Sequence, residues 1–436
     1  MPDPATPEPF PAASTGSAVE HIETVIIGAG QAGLATGYHL QQQGRAFVIV
    51  DAERRIGDGW RHQWDSLRLF TPAWADALPG RPQRAPAWSY PSKDEFADYL
   101  EAYAAEFRLP VRLDTRVVAL QSFAGLTPGL TPGLTPGPTP GPTPGLTPGA
   151  GGYILSTDRG QLHADNVVVA TGTFGRTPVV PDFADQLDPS VVQLHSSEYR
   201  RPEELPPGPV LVVGASHSGC DIAYEVAETH PTVLVGRDTG QIPVPFDSPL
   251  AKVVLRLMLF AFGHVLTRRS PVGRRQMEHI RFHGGPRLRV QTKDLEGRGV
   301  DWVKDRLTAV QDGRPVLPGR GPAEVRSVIW CTGFRQRFTW IDLDVFDERG
   351  WPKEMLGVVG DAPGLFFAGL GFQSSGRSML IHGAGHDAAH VAARIVERMG
   401  DTEEYRREAE ESWASTIWQP DERPTRSEPG HRPVST

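Results

Sequence analysis

Residues 25–37 read VIIGAGQAGLATG, and the order of apolar and glycine positions in this stretch decides the fold. TVIIG is a short buried strand, Gln31 to Gln43 carries a helical pattern, and AFVIVD returns as a second strand ending at Asp51. Strand, glycine turn, helix and strand make a βαβ unit. Gly28 permits the tight turn, Gly30 lets a pyrophosphate approach the backbone, and Gly33 lets helix and strand pack closely. The phosphate charge then sits at the positive end of the helix that Gln31 opens. Asp51, 23 residues after Gly28, is placed to accept the ribose hydroxyls of an adenosine.

A second unit lies further along. PVLVVG and TVLVGR are strands flanking a helix expected around Asp221 to Glu228, and residues 211–223 between them read LVVGASHSGCDIA. Gly214 and Gly219 keep the spacing, with Ala215 and His217 beside them, while Ser216 replaces the middle glycine and offers a hydroxyl to the phosphate. Arg237 lies 23 residues after Gly214, at the offset Asp51 holds in the first unit. An acid there suits a free ribose 2′-hydroxyl and a base suits a 2′-phosphate, which assigns FAD to the first unit and NADPH to the second. The competing reading of Arg237 is a solvated strand-end side chain paired with Asp238. The fold class is α/β, with two nested Rossmann-like dinucleotide-binding domains in a three-layer FAD/NAD(P)-binding arrangement.

Composition agrees with a small-molecule enzyme. The 436 residues are 39% hydrophobic, enough for two packed cores. A net charge of -8 and a pI near 6.0 argue against a nucleic-acid partner. Cys220 and Cys331 stand 111 positions apart, with no CxxC, which argues against a dithiol relay and fits a reducing, cytoplasmic setting. The N-terminal residues lack both the basic start and the apolar core of a signal peptide. Residues 1–20 and 419–436 are expected to be disordered. Residues 126–150 cycle through LTPG and PTPG, a composition unsuited to a packed element, between two strand-like runs that read as an inflated hairpin. The apolar run from Leu250 to Leu266, broken by Lys252, Arg256 and His264, reads as an amphipathic helix over the substrate pocket and alternatively as a helix resting on a membrane surface; it is too charged for a span.

Taken together, GAGQAGL, GDGWRHQWDSLRLFTPA, ATGTFGRTPVVP, QLHSSEY, GASHSGCDIA, CTGF and GLFFAGLGFQSSG resemble the flavin-containing monooxygenase class, which includes the plant YUCCA-like enzymes and bacterial flavoproteins labelled as involved in potassium transport. The resemblance implies an FAD unit at 21–178 and 334–418 around an NADPH unit at 179–333, with a substrate-side helical insertion at 241–285. It also implies Trp60 and Arg61 against FAD, Gly172 and Gly333 at the crossings between units, and Gly369, Leu370 and Gln373 in a turn facing the flavin ring.

His195 and Tyr199 match the HxxxY half of the class fingerprint, whereas Pro189 and Val191 stand at its Phe and Gly positions. Together with Gln373 they are the candidate catalytic residues; His195 is first a candidate for linking the domains and positioning NADP, with a buried structural histidine as the equal alternative. The stretch LFTPAWADALPG shows no counterpart of the asparagine that supports oxygen activation in some members. The implied reaction is oxygenation of a small molecule at N, S or a carbonyl by O2 through a flavin hydroperoxide. The alternatives are an NADPH-dependent flavin reductase or oxidase, and a redox-sensing flavoprotein that regulates a transporter without turnover. A homodimer is left open.

Overall fold

The structure is a computed structural model that describes residues 20–123, 152–172, 177–242, 244 and 248–400. The 126–150 repeat, the 419–436 tail and all of the leader except Glu20 lie outside these residues.

β1 (Glu20–Ile27) runs into α1 (Gln31–Gln42) and β2 (Phe47–Val50), with the expected unit in place and its helix one residue shorter than read. A one-turn helix α2 (Asp58–Arg61) and the longer α3 (Lys93–Glu106) follow. The start of α3 is fixed by a capping box: Ser92 Oγ accepts from the Glu95 N–H, and the Glu95 carboxylate accepts from the Ser92 N–H. Next come β3 (Val111–Arg112), β4 (Val117–Phe123), β5 (Gly152–Thr157) and the long β6 (Gly160–Val169). β4 and β5 pair antiparallel with Phe123 opposite Gly152, so the strands before and after the repeat are hairpin neighbours.

The second half begins with β7 (Thr177–Pro178), β8 (Val192–His195) and β9 (Val210–Val213). α4 (His217–Val226) starts four residues before the expected Asp221, directly at the glycine loop, and leads to β10 (Thr232–Val235). The insertion supplies α5 (Pro249–His264) and α6 (Pro271–Phe282), each starting from a serine cap with proline at its first position. After α7 (Thr292–Gly297) and β11 (Asp301–Val303), a small antiparallel sheet of β12 (Val310–Gln311), β13 (Arg314–Leu317) and β14 (Gly321–Pro322) precedes β15 (Ser327–Trp330). The chain returns through β16 (Phe334–Arg335), β17 (Ile341–Asp342) and β18 (Leu365–Phe367), and α8 (Ile381–Gly400) closes it.

These strands form two main sheets. The first has the order β17-β4-β5-β6-β1-β2-β3 with β18 also on β6; the second, β11-β10-β9-β15-β8, is parallel throughout. Both parallel regions are buried on two faces, as crossover helices require. On β1 the alternation is direct: Ile26 packs with Leu34, Phe96 and Ala392 on the helical face, while Val25 and Ile27 pack with Leu155, Val167 and Phe367 on the other. β9 repeats it, Val210 and Val212 facing Ile222, and Leu211 and Val213 facing Trp330. The chain leaves the first sheet after β6 and returns after β15, and the two passages pair as the antiparallel ribbon β7–β16.

Candidate cofactor site

The two glycine loops are near copies. Gly28 and Gly214 both have φ of +110°, a conformation that disfavours side chains. A Cβ on Gly33 would meet the Gly28 carbonyl oxygen at 1.9 Å, and one on Gly219 would meet that of Gly214 at 1.6 Å. Both positions therefore serve helix–strand packing. The middle position is where the loops part. A Cβ on Gly30 would meet nothing within 4 Å, a cradle open at the N-terminus of a 12-residue helix. Ser216 is covered: its hydroxyl donates to the Gly285 carbonyl at 3.1 Å and is not offered to a phosphate. A Cβ on Gly284 would fall 2.6 Å from Ser216 Oγ, and His217 Nε2 lies 2.6 Å from the Pro286 carbonyl. The chain's own Gly284–Pro286 segment thus sits on the second loop, beside Ala215, which is buried.

Asp51, the residue directly after β2, braces the first loop. Its Oδ2 accepts from the Ala29 N–H at 2.5 Å and its Oδ1 from the Glu53 N–H at 2.8 Å. Each oxygen keeps acceptor capacity for a ribose hydroxyl. Trp60 Nε1 donates to Gln31 Oε1 at 3.4 Å, so two expected FAD neighbours meet over the start of α1. Arg61 is committed elsewhere: its guanidinium bonds the Ile56 carbonyl at 2.7 Å and pairs with Asp58, Asp98 and Glu101. The Gly369–Gln373 turn lies against α1, with a Cβ on Gly369 reaching Ala32 at 2.8 Å. Gln373 is fully buried, its Oε1 accepting from the Leu370 N–H at 3.2 Å while its Nε2 has no hydrogen-bond partner. It braces the turn.

His195 ties the crossings together. The Ser197 N–H donates to Nδ1 at 3.2 Å, which leaves Nε2 as the donor to the Gly333 carbonyl at 3.0 Å. Burial lowers its pKa, holding the ring neutral. Gln336 Nε2 donates to the Gly172 carbonyl at 3.0 Å, so both crossing glycines are held by side chains. Tyr199 is buried in the core of the second unit, its hydroxyl donating to Glu225 at 3.2 Å, which makes it a packing residue.

Two readings from the sequence need correction. Asp238 is not the partner of Arg237: it pairs with buried Arg287 at 2.7 Å and with Lys304 at 3.6 Å. Arg237 is exposed and makes no ion pair or hydrogen bond among the described residues. Arg287, which no local motif announces, is 1% exposed and lies over Trp302 at 4.5 Å. Sequence separation also proved a poor guide for the cysteines, because Cys220 and Cys331 share one core cluster. The case against a dithiol relay rests instead on burial, which pushes the Cys220 thiol up to about 12 and Cys331 higher still, away from the reactive thiolate.

Within LFTPAWADALPG the structure buries an unexpected acid. Asp76 is 0% exposed, accepts from Thr71 Oγ1 at 2.5 Å, and is pushed up to about 8 by burial. Between about pH 4 and 8 the native state therefore holds a proton that the unfolded chain has lost, and stability falls as pH rises through that window. Asp76→Asn is expected to remove this slope, its advantage over the parent growing to on the order of 5–6 kcal/mol at the alkaline end. Unfolding midpoints across pH 4–9 check it; parallel curves for the two proteins would show that Asp76 ionises freely.

Comparison with known proteins settles the family. An uncharacterised CzcO-like oxidoreductase of Geobacillus kaustophilus is 34% identical over 392 residues, covering 87% of this chain and 99% of that one. The chain belongs to the CzcO-like oxidoreductases of the flavin monooxygenase class. The pyridine nucleotide-disulphide oxidoreductase family also matches this CzcO-like chain, over residues 25–126 and 145–247, on both sides of the repeat. A probable indole-3-pyruvate monooxygenase, YUCCA1 of Arabidopsis thaliana, is 26% identical over 86% of this chain and 90% of its own. Among solved structures, the flavin-containing monooxygenase of Stenotrophomonas maltophilia superposes with a TM-score of 0.63 at 24% identity, covering 87% of this chain and all of that one. The fold of the CzcO-like chain is that of the FAD/NAD(P)-binding flavoproteins.

Proposed function

We propose that this CzcO-like chain is a cytoplasmic FAD- and NADPH-dependent monooxygenase that oxygenates a small molecule at nitrogen, sulfur or a carbonyl. The observation that carries the reading is the pair of matched glycine loops, one with Asp51 and the other with an unpartnered Arg237 at the same offset. We assign the FAD unit to 21–178 and 334–418 and the NADPH unit to 179–333, with 241–285 as its insertion. The fit for FAD rests on the open cradle at Gly30 and the orphaned Nε2 of Gln373 beside the flavin-side turn.

In this reading the pyrophosphate lies on the α1 N-terminus, where unpaired N–H groups and the helix dipole favour an anion. Asp51 accepts ribose hydroxyls while holding Ala29 and Glu53, so the adenosine end and the loop shape depend on one carboxylate. When bound, FAD supplies the redox chemistry, accepting hydride from NADPH and passing electrons to oxygen. The protein orients and excludes water. Buried Phe372 and Gln373 give the Gly369–Gln373 turn a dry, braced floor, and neutral His195 fixes the crossing that sets one unit against the other. At the second loop, nucleotide entry requires the Gly284–Pro286 segment to move off Ser216 and His217.

The test is substrate-dependent consumption of NADPH and oxygen by the flavin-bound protein. An oxygenated product supports the reading, whereas stoichiometric peroxide with every candidate substrate assigns an NADPH oxidase. Arg237 gives a sharper check. Charge-assisted hydrogen bonds to a 2′-phosphate contribute on the order of 1.5–3 kcal/mol each, so Arg237→Ala is expected to weaken NADPH by roughly 10- to 100-fold and NADH far less. Arg237→Asp goes further against NADPH by repelling the phosphate. Anaerobic flavin reduction over a range of each nucleotide measures this; equal losses with both would make Arg237 a structural residue, and no loss would move the NADPH site elsewhere.

A further inference from the structure

The insertion helices carry a surface that the proposed chemistry leaves unused. On α5 the stripe Ala251, Leu255, Leu259 and Gly263 is buried against the protein. The opposite stripe is also apolar: Leu250, Val253, Leu257 and Phe260, spaced for one helical face, are 57%, 53%, 63% and 60% exposed. A helix apolar on both faces is one whose outer face meets something other than water. Val265 and Val272 extend the patch toward α6 at 47% and 54% exposed.

The charge around this patch opposes that of the whole chain. Residues 248–283 hold seven Lys and Arg and one acid, Glu278, in a protein of net charge -8. Glu354 takes up Arg268 and Arg281, and Glu278 pairs with Arg349. Lys252, Arg256, Arg269, Arg274 and Arg275 remain exposed with no ion pair among the described residues. No helix among the described residues is long and apolar enough to cross a membrane.

We propose that α5 and α6 dock the protein on the surface of an anionic lipid bilayer, with Leu257 and Phe260 entering the interface and the five exposed basic residues, of which Lys252 and Arg256 also lie over Trp88, supplying positive charge to lipid phosphates. Apolar burial and attraction to anionic headgroups are the two contributions that hold an interfacial helix. A second copy of the chain is the poorer occupant, because a twofold contact places each patch on itself and sets like charge against like. The inner side of the same insertion adjoins the flavin-side turn, since the Arg268 N–H donates to the Ser374 carbonyl and Arg281 Nε to the Gly371 carbonyl. An apolar substrate dissolved in the bilayer would meet the protein on that side.

The test is co-sedimentation of the full chain with phosphatidylcholine vesicles, with and without phosphatidylglycerol. Binding is expected only with phosphatidylglycerol, and it should collapse at about 0.5 M salt, where screening is severe. Leu257→Asp with Phe260→Asp should weaken binding at least about tenfold, and Arg274→Glu with Arg275→Glu should abolish the preference for anionic lipid, with flavin content unchanged in both. Absence of binding, or binding that survives both pairs of changes, overturns the proposal. A concentration-dependent dimer that the two aspartates disperse overturns it in favour of a second copy.

Discussion

Gly30→Val is expected to give a folded protein that purifies without FAD. The wild-type backbone at Gly30 is extended, with φ -79° and ψ -175°, so valine meets no strain there, and its Cβ would meet no protein atom within 4 Å. The valine branches occupy the space a pyrophosphate needs for close approach to the backbone. Flavin content should fall at least about tenfold while the unfolding midpoint of the flavin-free protein is preserved. Gly33→Ala is the contrast: its Cβ would lie 1.9 Å from the Gly28 carbonyl oxygen, so the loop itself must break and the fold suffers with or without FAD. The two glycines stand three positions apart and should fail by different routes, which flavin absorbance and thermal unfolding separate. Full flavin occupancy in Gly30→Val would remove FAD from this loop; an unfolded Gly30→Val would show that the open cradle is not open.

Local pattern carried much of the fold. The alternation of Val25, Ile26 and Ile27 between two cores, the glycine spacings, and the positions of Asp51 and Arg237 one and two residues past their strands all follow from periodicities of a few residues. α4 began earlier than read because the glycine loop opens the helix at His217, ahead of the apolar positions that mark its buried face. What stayed hidden depends on partners far apart in the chain. Nothing near Asp238 announces Arg287, 49 residues on, and nothing near Ser216 announces a carbonyl at Gly285, 69 residues on. Arg61 was expected against FAD on resemblance, yet its charge is settled by carboxylates of α3. The outer stripe of α5 was equally hidden, since an apolar residue in sequence does not reveal which side of a helix the protein covers.

The largest stability effect is expected at Glu354, another such long-range partner. Its side chain is 0% exposed, with Oε1 at 2.7 Å from Arg268 and 3.2 Å from Arg281, and Oε2 accepting from the Gly357 N–H at 2.9 Å. Burial lowers Arg281 to about 10, with Arg268 beside it acting in the same direction, yet it stays charged at neutral pH. Glu354→Gln keeps the shape and removes the one carboxylate that ion-pairs with either guanidinium among the described residues. Breaking a buried pair by removing one partner costs about 3–5 kcal/mol, since the remaining charge stays desolvated. The loss here leaves two like charges together. The expected result is a markedly lower unfolding midpoint and, because Arg281 also holds the Gly371 and Phe372 carbonyls, weaker retention of FAD at the adjoining turn. Replacing Arg268, Arg281 and Glu354 together by apolar residues of similar size should recover most of the stability, as neither charge is then stranded. A Glu354→Gln midpoint equal to the parent's would mean that water reaches the triad and that the insertion is held to the FAD unit by packing alone.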